Sequence, residues 1–248
     1  MTGFRRLFPT GKPVLGMLHL GGETPADRIE IALEEARILD EAGFDGVIVE
    51  NYFGDIPDVE AVLKALGDEG LRCRVGINIL GNTEMAFALA SRYRVDFIQV
   101  DSVSGHLPPD EDAAYARRLT ELRAGCDAVL LGGVRFKYMP VRSGRSEAED
   151  LRIGMTRCDA IVVTSDATGQ PTDMNKVRRF RDVLGPDKPL LIGAGLTPDN
   201  VSDRFSVADG GIVGSWLKDN HQDNGRISPR QVGIFLDSAR GSTSGPTP

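Results

Sequence analysis

Side chains that can transfer protons follow several short apolar runs of the chain. Glu50, Asp101, Lys137 and Asp166 each come at or just after the end of such a run. Carboxylates that share a cavity can divide general-acid and general-base roles, because proximity separates their pKa values. A lysine in the same cavity could act as a base, a proton donor or a Schiff-base nucleophile. These four are the predicted catalytic residues. The structural alternative is that Glu50 pairs with Lys137, or Asp101 with Arg135, and only braces the mouth.

A second set of polar residues follows the same runs and is predicted to contact the substrate. His19 could bind a ligand, act as a general acid or only cap a strand. The loop Val141–Glu147 contains two arginines that could bind a second anionic group or close as a lid. A solvated turn with Ser146 as a helix N-cap is the alternative for this loop. The predicted substrate contacts are His19, Asn51, Asn78, Arg135, Arg145 and Thr164.

Two glycine-bearing segments late in the chain predict a phosphate site. Glycine lets the backbone approach a ligand closely, and a helix that begins just afterwards offers free N–H groups and a positive dipole end. Tight turns, with Thr197 or Asp199 capping a helix, are the alternative. The predicted phosphate-binding residues are Gly193, Gly195, Gly214 and Ser215.

The elements that position these residues follow from a repeated pattern. An aspartate stands before each of five short runs rich in apolar and β-branched residues, at Asp45, Asp96, Asp127, Asp159 and Asp209. Such runs, without polar alternation, are typical of parallel strands that are buried on both faces. Three more runs complete a set of eight strands: Val14–Leu18, Val75–Ile79 and Leu190–Ile192.

Helical patterns separate most of these strands. Strand–helix alternation at this spacing predicts an α/β fold, a single (β/α)₈ TIM barrel over residues 1–240. The alternative is an open doubly wound sheet, which usually has a glycine fingerprint after its first strand. Residues 241–248 are rich in Gly, Ser, Thr and Pro and are predicted to be a disordered tail. The predicted helices are Pro25–Ala42, Val59–Leu66, Thr83–Tyr93, Ala113–Arg123, Glu147–Met155 and Met174–Leu184.

Composition excludes several functional classes. The 248 residues carry a net charge of −7 and no basic run, which argues against nucleic-acid binding. No apolar run approaches the roughly 20 residues that span a bilayer, so we predict no membrane insertion. Met1–Lys12 has no apolar signal segment, and three cysteines without Cys-x-x-Cys spacing fit a reducing cytoplasm. A homo-oligomer is possible.

No cofactor is predicted from the sequence. A divalent metal is possible through His19, Glu50 and Asp101, although residues on separate strands form no ligand motif by spacing. The predicted partner is a small phosphorylated substrate.

Long blocks of the chain resemble the BtpA/SgcQ family, from about Lys12 to Arg240. The resemblance implies a barrel related to the ribulose-phosphate-binding barrels. It also implies relatives that are associated with photosystem I biogenesis or with sugar or nucleoside metabolism. Gly21–Thr24, Asp101–Leu107 and Gly133–Tyr138 depart from the commonest family pattern and indicate a distinct subgroup. The blocks that carry the resemblance are Lys12–Leu20, Val49–Asn51, Gly76–Asn82, Gly193–Asn200 and Ile212–Lys218.

These observations together predict an enzyme that acts on a phosphorylated sugar or nucleotide-like molecule by acid–base chemistry at the barrel mouth. Cleavage or transfer at a C–N glycosidic bond is favoured, because it uses two carboxylates. Isomerisation or lysis that depends on Lys137 is the first alternative. A non-catalytic biogenesis or assembly factor is the second.

Overall fold

A computed structural model describes residues 3–9, 11–165 and 170–241. Eight parallel strands close into one barrel in the order of the sequence, which confirms the predicted fold class. The strands are β1 Val14–Leu18, β2 Gly46–Glu50, β3 Arg74–Asn78, β4 Phe97–Ser104, β5 Val129–Val134, β6 Ala160–Val163, β7 Leu190–Ile192 and β8 Gly211–Val213. The helices are α1 Gly3–Leu7, α2 Pro25–Ala42, α3 Ile56–Glu69, α4 Thr83–Tyr93, α5 Pro109–Ala124, α6 Glu147–Arg157, α7 Met174–Leu184, α8 Val201–Phe205 and α9 Pro229–Gly241.

Element boundaries differ from the sequence prediction where capping decides them. Asp55 forms a capping box with Asp58, so α3 begins at Ile56 rather than Val59. β4 does not end near Asp101 but continues to Ser104, with a register shift against β5 after Val100. The helix α9 was not predicted and ends at Gly241, and residues 242–248 lie outside the described chain.

The interior of the barrel is filled by side chains that point inward from alternate strand positions. The Phe97 ring occupies the space beside Gly76 of β3, where an added Cβ would lie 2.3 Å from a ring atom. Glycine at that position therefore lets one aromatic ring fill the barrel centre. The inward apolar cluster includes Leu15, Met17, Ile48, Phe97, Leu131, Val162, Leu191 and Ile212.

The N-terminal segment covers the bottom of the barrel, away from the C-terminal strand ends. The rings of Phe4 and Phe8 lie 5.2 Å apart, and the Phe8 ring lies 5.9 Å from that of Phe97. The helix α1 therefore acts as an apolar plug at the end of the barrel that carries no predicted chemistry.

Four of the turn aspartates hold the starts of neighbouring strands at this bottom face. The Oδ2 atoms of Asp45, Asp96, Asp159 and Asp209 accept from the amides of Val14, Val75, Leu130 and Leu190, each at 2.9 Å. Each aspartate precedes one strand and accepts a hydrogen bond from an amide at the start of the strand before it. The repeat that revealed the fold is thus a set of strand-to-strand hydrogen bonds.

Within the described residues, no helix combines the length and apolar character needed to cross a membrane.

Candidate active site

A cavity of about 340 Å³ opens at the C-terminal ends of the strands, a size that suits a small-molecule ligand. The structure brings eight of the predicted site residues to its wall. They are His19, Glu50, Asp101, Lys137, Gly193, Gly195, Gly214 and Ser215. Five lining residues that sequence analysis did not single out as ligand contacts are Tyr52, Gln99, Trp216, His221 and Asp223.

Two carboxyl groups meet on the side of the cavity formed by β2, β3 and β4. The Nδ2 atom of Asn78 donates to Oε1 of Glu50 at 2.7 Å and to Oδ1 of Asp101 at 3.1 Å. Burial, and then the nearby charge of Asp101, raises the pKa of Glu50 to about 7, against the opposing charge of Lys137. Burial also raises the pKa of Asp101. Near neutral pH the Glu50 carboxyl group can therefore both hold and release a proton.

His19 follows β1 and faces Glu50 across the cavity. Its Nε2 lies 3.8 Å from Oε2 of Glu50, and its Nδ1 lies 3.3 Å from the backbone oxygen of Asp223. Burial, followed by the charge of Lys218, lowers the pKa of His19 to about 4, so the ring is neutral near pH 7. A carbonyl oxygen can only accept, so Nδ1 carries the proton and the lone pair of Nε2 faces Glu50.

Asp223 reaches the cavity on a hairpin that follows β8. Lys218 and Ile227 form an antiparallel bridge at the base of this hairpin. At its tip, Oδ2 of Asp223 accepts from the Tyr52 hydroxyl at 3.2 Å, and Oδ1 accepts from the Ser215 hydroxyl at 2.5 Å. The hairpin, residues 218–227, thus folds back over the mouth and contacts the ends of β1, β2 and β8.

A buried ion pair anchors the base of this hairpin to the barrel. The Nζ atom of Lys218 donates to both oxygens of Glu35 on α2, at 2.9 and 3.0 Å, and the amide of Ile227 donates to the same carboxylate at 2.8 Å. Both charged side chains are only 2% exposed. Because a buried pair contributes little net stability, its main effect here is to fix the geometry of the hairpin.

Lys137 follows β5 and stands near the far side of the same cavity. Its backbone amide donates to Oγ1 of Thr164 at 3.0 Å, and the Thr164 carbonyl accepts from Nζ of Lys176 at 2.8 Å. Thr164 therefore positions the lysine-bearing loop through its hydroxyl, rather than lining the cavity itself. The positive charge of Lys137 opposes the rise in the pKa of both Glu50 and Asp101.

The ends of β7 and β8 bring backbone to the cavity wall with little side-chain bulk. Gly195 has a φ of 67°, and an added Cβ there would lie 2.1 Å from the Gln170 oxygen. A Cβ on Gly193 would lie 2.4 Å from Val162. Glycine is required at both positions, and both residues line the cavity.

The helix expected directly after Gly195 begins later in the chain than expected. α8 has five residues and begins at Val201. In the intervening turn, Oδ1 of Asn200 accepts from the Thr197 amide at 3.0 Å, and its Nδ2 donates to the Gly195 oxygen at 2.9 Å. A long helix dipole therefore does not point at this turn.

Both predicted arginines lie in ion pairs behind the wall. Nε of Arg135 donates to Oδ2 of Asp150 at 2.9 Å, and its Nη2 donates to the Arg145 oxygen at 2.6 Å. Arg145 pairs with buried Asp112 at 3.0 Å. Their predicted role as substrate contacts is corrected: buried carboxylates compete for both guanidinium groups, and neither lines the cavity. Ser146 forms the capping box of α6, as the alternative reading of that loop required.

Two further predicted residues have different outcomes. The Oδ1 atom of Asn51 accepts from the Leu80 amide at 2.8 Å, which ties the loops after β2 and β3 together. Asn51 therefore braces the mouth and does not line the cavity. Asp166 lies outside the described residues, so its predicted role remains a prediction.

Among the described residues, no group of three or more His, Cys, Asp or Glu side chains is arranged to hold a metal ion. His19 and Glu50 face each other, with Nε2 and Oε2 3.8 Å apart. A divalent metal bound in this cavity stays a prediction.

Gln99 was missed because it lies inside an apolar run, yet a signal was present. Residues two apart on a barrel strand face the same side, so Gln99 shares the inward face of β4 with Asp101. Tyr52 follows β2 by two residues and could have been included with the other strand ends. Asp223 had no local signal, because its position depends on the return of the hairpin.

Comparison with known proteins gives a family match over residues 10–241, to the model described as the BtpA family. An uncharacterized protein of Thermococcus kodakarensis is 32% identical over 92% of this chain and 95% of its own. The photosystem I biogenesis protein BtpA of Synechocystis is 31% identical over 97% of this chain and 92% of its own. N-(5'-phosphoribosyl)anthranilate isomerase from Pyrococcus furiosus is similar in fold, with a TM-score of 0.62, 16% identity, and coverage of 93% of this chain and 99% of its own.

Proposed function

The chain belongs to the BtpA family, and we propose that it is an enzyme that acts on a phosphorylated sugar or nucleotide-like molecule by acid–base chemistry. The observation that carries this proposal is the state of Glu50. A carboxyl group that is buried at a cavity wall, with its pKa raised to about 7, can both give and take a proton near neutral pH. Burying an ionisable carboxyl group costs free energy, and polar groups that only support the structure of a barrel mouth do not require that burial.

The favoured reaction is cleavage or transfer at a C–N glycosidic bond. Protonated Glu50 would donate its proton to the departing nitrogen, and ionised Asp101 would stabilise the positive charge that develops on the sugar. Water, or the acceptor in a transfer, would then form the new bond to the sugar carbon and return a proton to Glu50. Glu50 and Asp101 accept from one nitrogen of Asn78, at 2.7 and 3.1 Å. That shared donor keeps their bound oxygens within about 6 Å of each other, near the shorter carboxylate separation found in glycosidases.

The phosphate of the substrate would bind the glycine turns after β7 and β8. Gly193, Gly195, Gly214 and Ser215 line the same cavity as the two carboxyl groups. Backbone N–H groups of such turns are suited to anions, and this corner of the barrel is the usual phosphate site of the fold. The P. furiosus isomerase of similar fold has a phosphoribosyl group in the name of its substrate, which supports the same class of ligand here.

The first experiment is a thermal-shift screen with sugar phosphates, nucleosides and nucleotides, with and without a divalent metal. A ligand at 100 times its Kd stabilises the fold by about 2.7 kcal/mol, which is readily detected. Gly214→Asp places a carboxylate at the proposed phosphate position and should abolish the shift. Gly67→Asp is the matched control, since Gly67 on α3 has open space around its Cα. A screen without any phosphorylated hit contradicts the proposed phosphate site.

An isomerase or lyase that uses Lys137 is the alternative enzyme class. Its amine would form an imine with a carbonyl substrate, with loss of water. Borohydride reduction in the presence of the thermal-shift hit separates the two reactions. A stable mass increase on Lys137 supports the lysine mechanism, whereas release of a free base without such an adduct supports glycosidic cleavage.

An assembly factor is a second candidate, favoured by the name of the Synechocystis relative and by the rim of the mouth. Apolar side chains are exposed there on opposite sides: Tyr52 and Phe53 at 38% and 42%, Tyr138 and Val141 at 70% and 51%. A protein with this role should keep its cellular function when Glu50→Gln and Lys137→Ala are combined. Loss of function in a well-folded double variant contradicts it.

A further inference from the structure

The side of the cavity formed by β2 to β4 contains two amide side chains that face carboxyl groups. Asn78 donates to Glu50 and Asp101. Burial raises the pKa of Asp101, and the amide of Gln99 lies close enough to that carboxyl group to oppose the rise. Asn78 and Gln99 are register partners on adjacent strands and are 1% and 3% exposed. Their orientation follows from chemistry, because turning either carbonyl oxygen toward a carboxylate would place two acceptors together.

The carbonyl oxygens of both amides are left as buried acceptors. Oδ1 of Asn78 and Oε1 of Gln99 have no hydrogen-bond partner, and Gln99 lines the cavity itself. A buried acceptor without a partner costs roughly 1–3 kcal/mol, so a ligand that supplies a donor gains that energy back. The cavity wall here therefore presents the oxygens of Gln99, Glu50 and Asp101, and Asn78 is buried outside the cavity lining.

We infer that the ligand places hydroxyl or amino donors against this wall and has no carboxylate at that end. Gln99 is the residue that accepts a hydrogen bond from such a donor. The inference rests on the proposed function and deepens it, because it fixes which end of a phosphorylated ligand lies where. A polyhydroxy sugar phosphate fits this description. A phosphorylated sugar acid or small hydroxy acid does not.

The charge around the cavity leads to the same orientation. Glu50 and Asp101 repel both a phosphate and a carboxylate at the β2–β4 wall once either of them is ionised. The turn after β7 has no acidic side chain between Gly193 and Thr197, whereas Asp223 of the hairpin lies against Ser215 after β8. The anionic end of the ligand is thus directed to the turn after β7, and the donor-rich end to β2–β4.

Three probes test this inference by calorimetry: D-ribose 5-phosphate, 3-phosphoglycerate and inorganic phosphate. The wild-type protein should bind ribose 5-phosphate roughly tenfold more tightly than either other probe, the gain expected from one or two satisfied acceptors. Equal or tighter binding of 3-phosphoglycerate overturns the inference while the phosphate site stands. Failure of all three probes to bind removes the phosphate site, and the inference with it.

Variants identify the residue that carries the preference. Gln99→Met keeps the length of the side chain and removes the acceptor, so the affinity for ribose 5-phosphate should fall roughly tenfold while that for inorganic phosphate stays unchanged. Asp101→Asn removes a negative charge and should raise the affinity for 3-phosphoglycerate relative to ribose 5-phosphate. Asn175→Leu, at an exposed position of α7, is the matched control. An unchanged preference in both variants overturns the role of this wall.

Discussion

Burial shifts the pKa values of Glu50 and His19 in opposite directions, and both shifts favour the uncharged form of the side chain. The pKa of Glu50 rises to about 7, because its carboxylate is desolvated beside Asp101, and that of His19 falls to about 4, because its imidazolium is desolvated near Lys218. Both side chains are therefore largely uncharged between about pH 5 and pH 6. A protonated Glu50 then faces the unprotonated Nε2 of His19, with Oε2 and Nε2 3.8 Å apart. This arrangement suits exchange of the Glu50 proton with a substrate group that contacts both atoms from the cavity.

Glu50→Gln should remove a pH dependence of stability. The folded-state pKa of about 7 lies above the ordinary value of 4.5, so the folded protein binds more protons than the unfolded chain between these pH values. The wild-type free energy of unfolding should fall by on the order of 3 kcal/mol as pH rises through this window, and the variant should lose that slope. Urea unfolding at pH 5 and pH 8 measures the difference.

Glu121→Gln is the control for this experiment, because Glu121 lies on the exposed face of α5. Parallel pH profiles for Glu50→Gln and the wild type contradict an elevated pKa at Glu50. Once a substrate is known, Glu50→Gln should also lower kcat by roughly 100-fold or more, the usual contribution of a general acid or base.

At the scale of elements, the hairpin of residues 218–227 is the part of the mouth that the barrel scaffold does not supply. The strands and their short loops deliver Glu50, Asn78 and Asp101, whereas Asp223 comes from a segment that returns over the opening. The pair of Glu35 and Lys218 connects this hairpin to α2, and the barrel thereby positions the group that sets the tautomer of His19.

Lys218→Met, alone and combined with Glu35→Gln, should show separately how the ion pair affects the stability of the fold and the position of the hairpin. The single variant leaves the Glu35 carboxylate buried without its partner, which costs roughly 3–5 kcal/mol of stability. Combining it with Glu35→Gln removes that charge and should recover a large part of the loss. Ligand affinity should stay reduced in the double variant, because Asp223 no longer has a fixed hairpin beneath it. Chemical unfolding and calorimetry with the same ligand measure the two effects.

An outcome in which the double variant regains both stability and affinity contradicts a positioning role for the pair. Arg37→Met is a matched control: its ion pair with Glu69 is exposed on the arginine side, and exposed pairs contribute little to stability.

At the scale of the whole molecule, the two ends of the barrel divide stability and chemistry. The bottom has the aromatic plug of α1 and the aspartates that bind strand amides, whereas the top has the cavity and the hairpin. The cavity is itself divided, with acceptors at β2–β4 and glycine turns at β7–β8. Homo-oligomerisation remains a prediction that light scattering can measure.

Phe8→Ala tests this division of the two ends. Phe8 is 7% exposed and packs against Phe97 inside the barrel, so its truncation should cost about 3 kcal/mol. The increase in Tm produced by a ligand at the opposite end should stay the same. Lys64→Ala, on the exposed surface of α3, serves as the control. A variant that loses ligand binding in proportion to its stability contradicts the separation of the two ends.

Three features were predictable from the sequence alone: the eight strands, their order in a closed barrel and the face to which their polar ends point. These features are local: β-branched runs predict buried strands, aspartates mark the turns before them, and residues that follow parallel strands meet at one end. Glu50, Asp101 and the glycines of β7 and β8 could be assigned to a common mouth for that reason. The family was also recognisable, because the blocks that carry it are contiguous in the chain.

The contacts and protonation states of the polar residues at the mouth depend instead on long-range packing. Arg135 and Arg145 lie beside the mouth in sequence, but Asp150 and Asp112 from other elements pair with them. Asp223 reaches His19 across 204 positions of the chain. The protonation of Glu50 likewise depends on burial by several strands together. Pairing, desolvation and loop return are long-range effects, and the spacing of residues along one strand does not encode them.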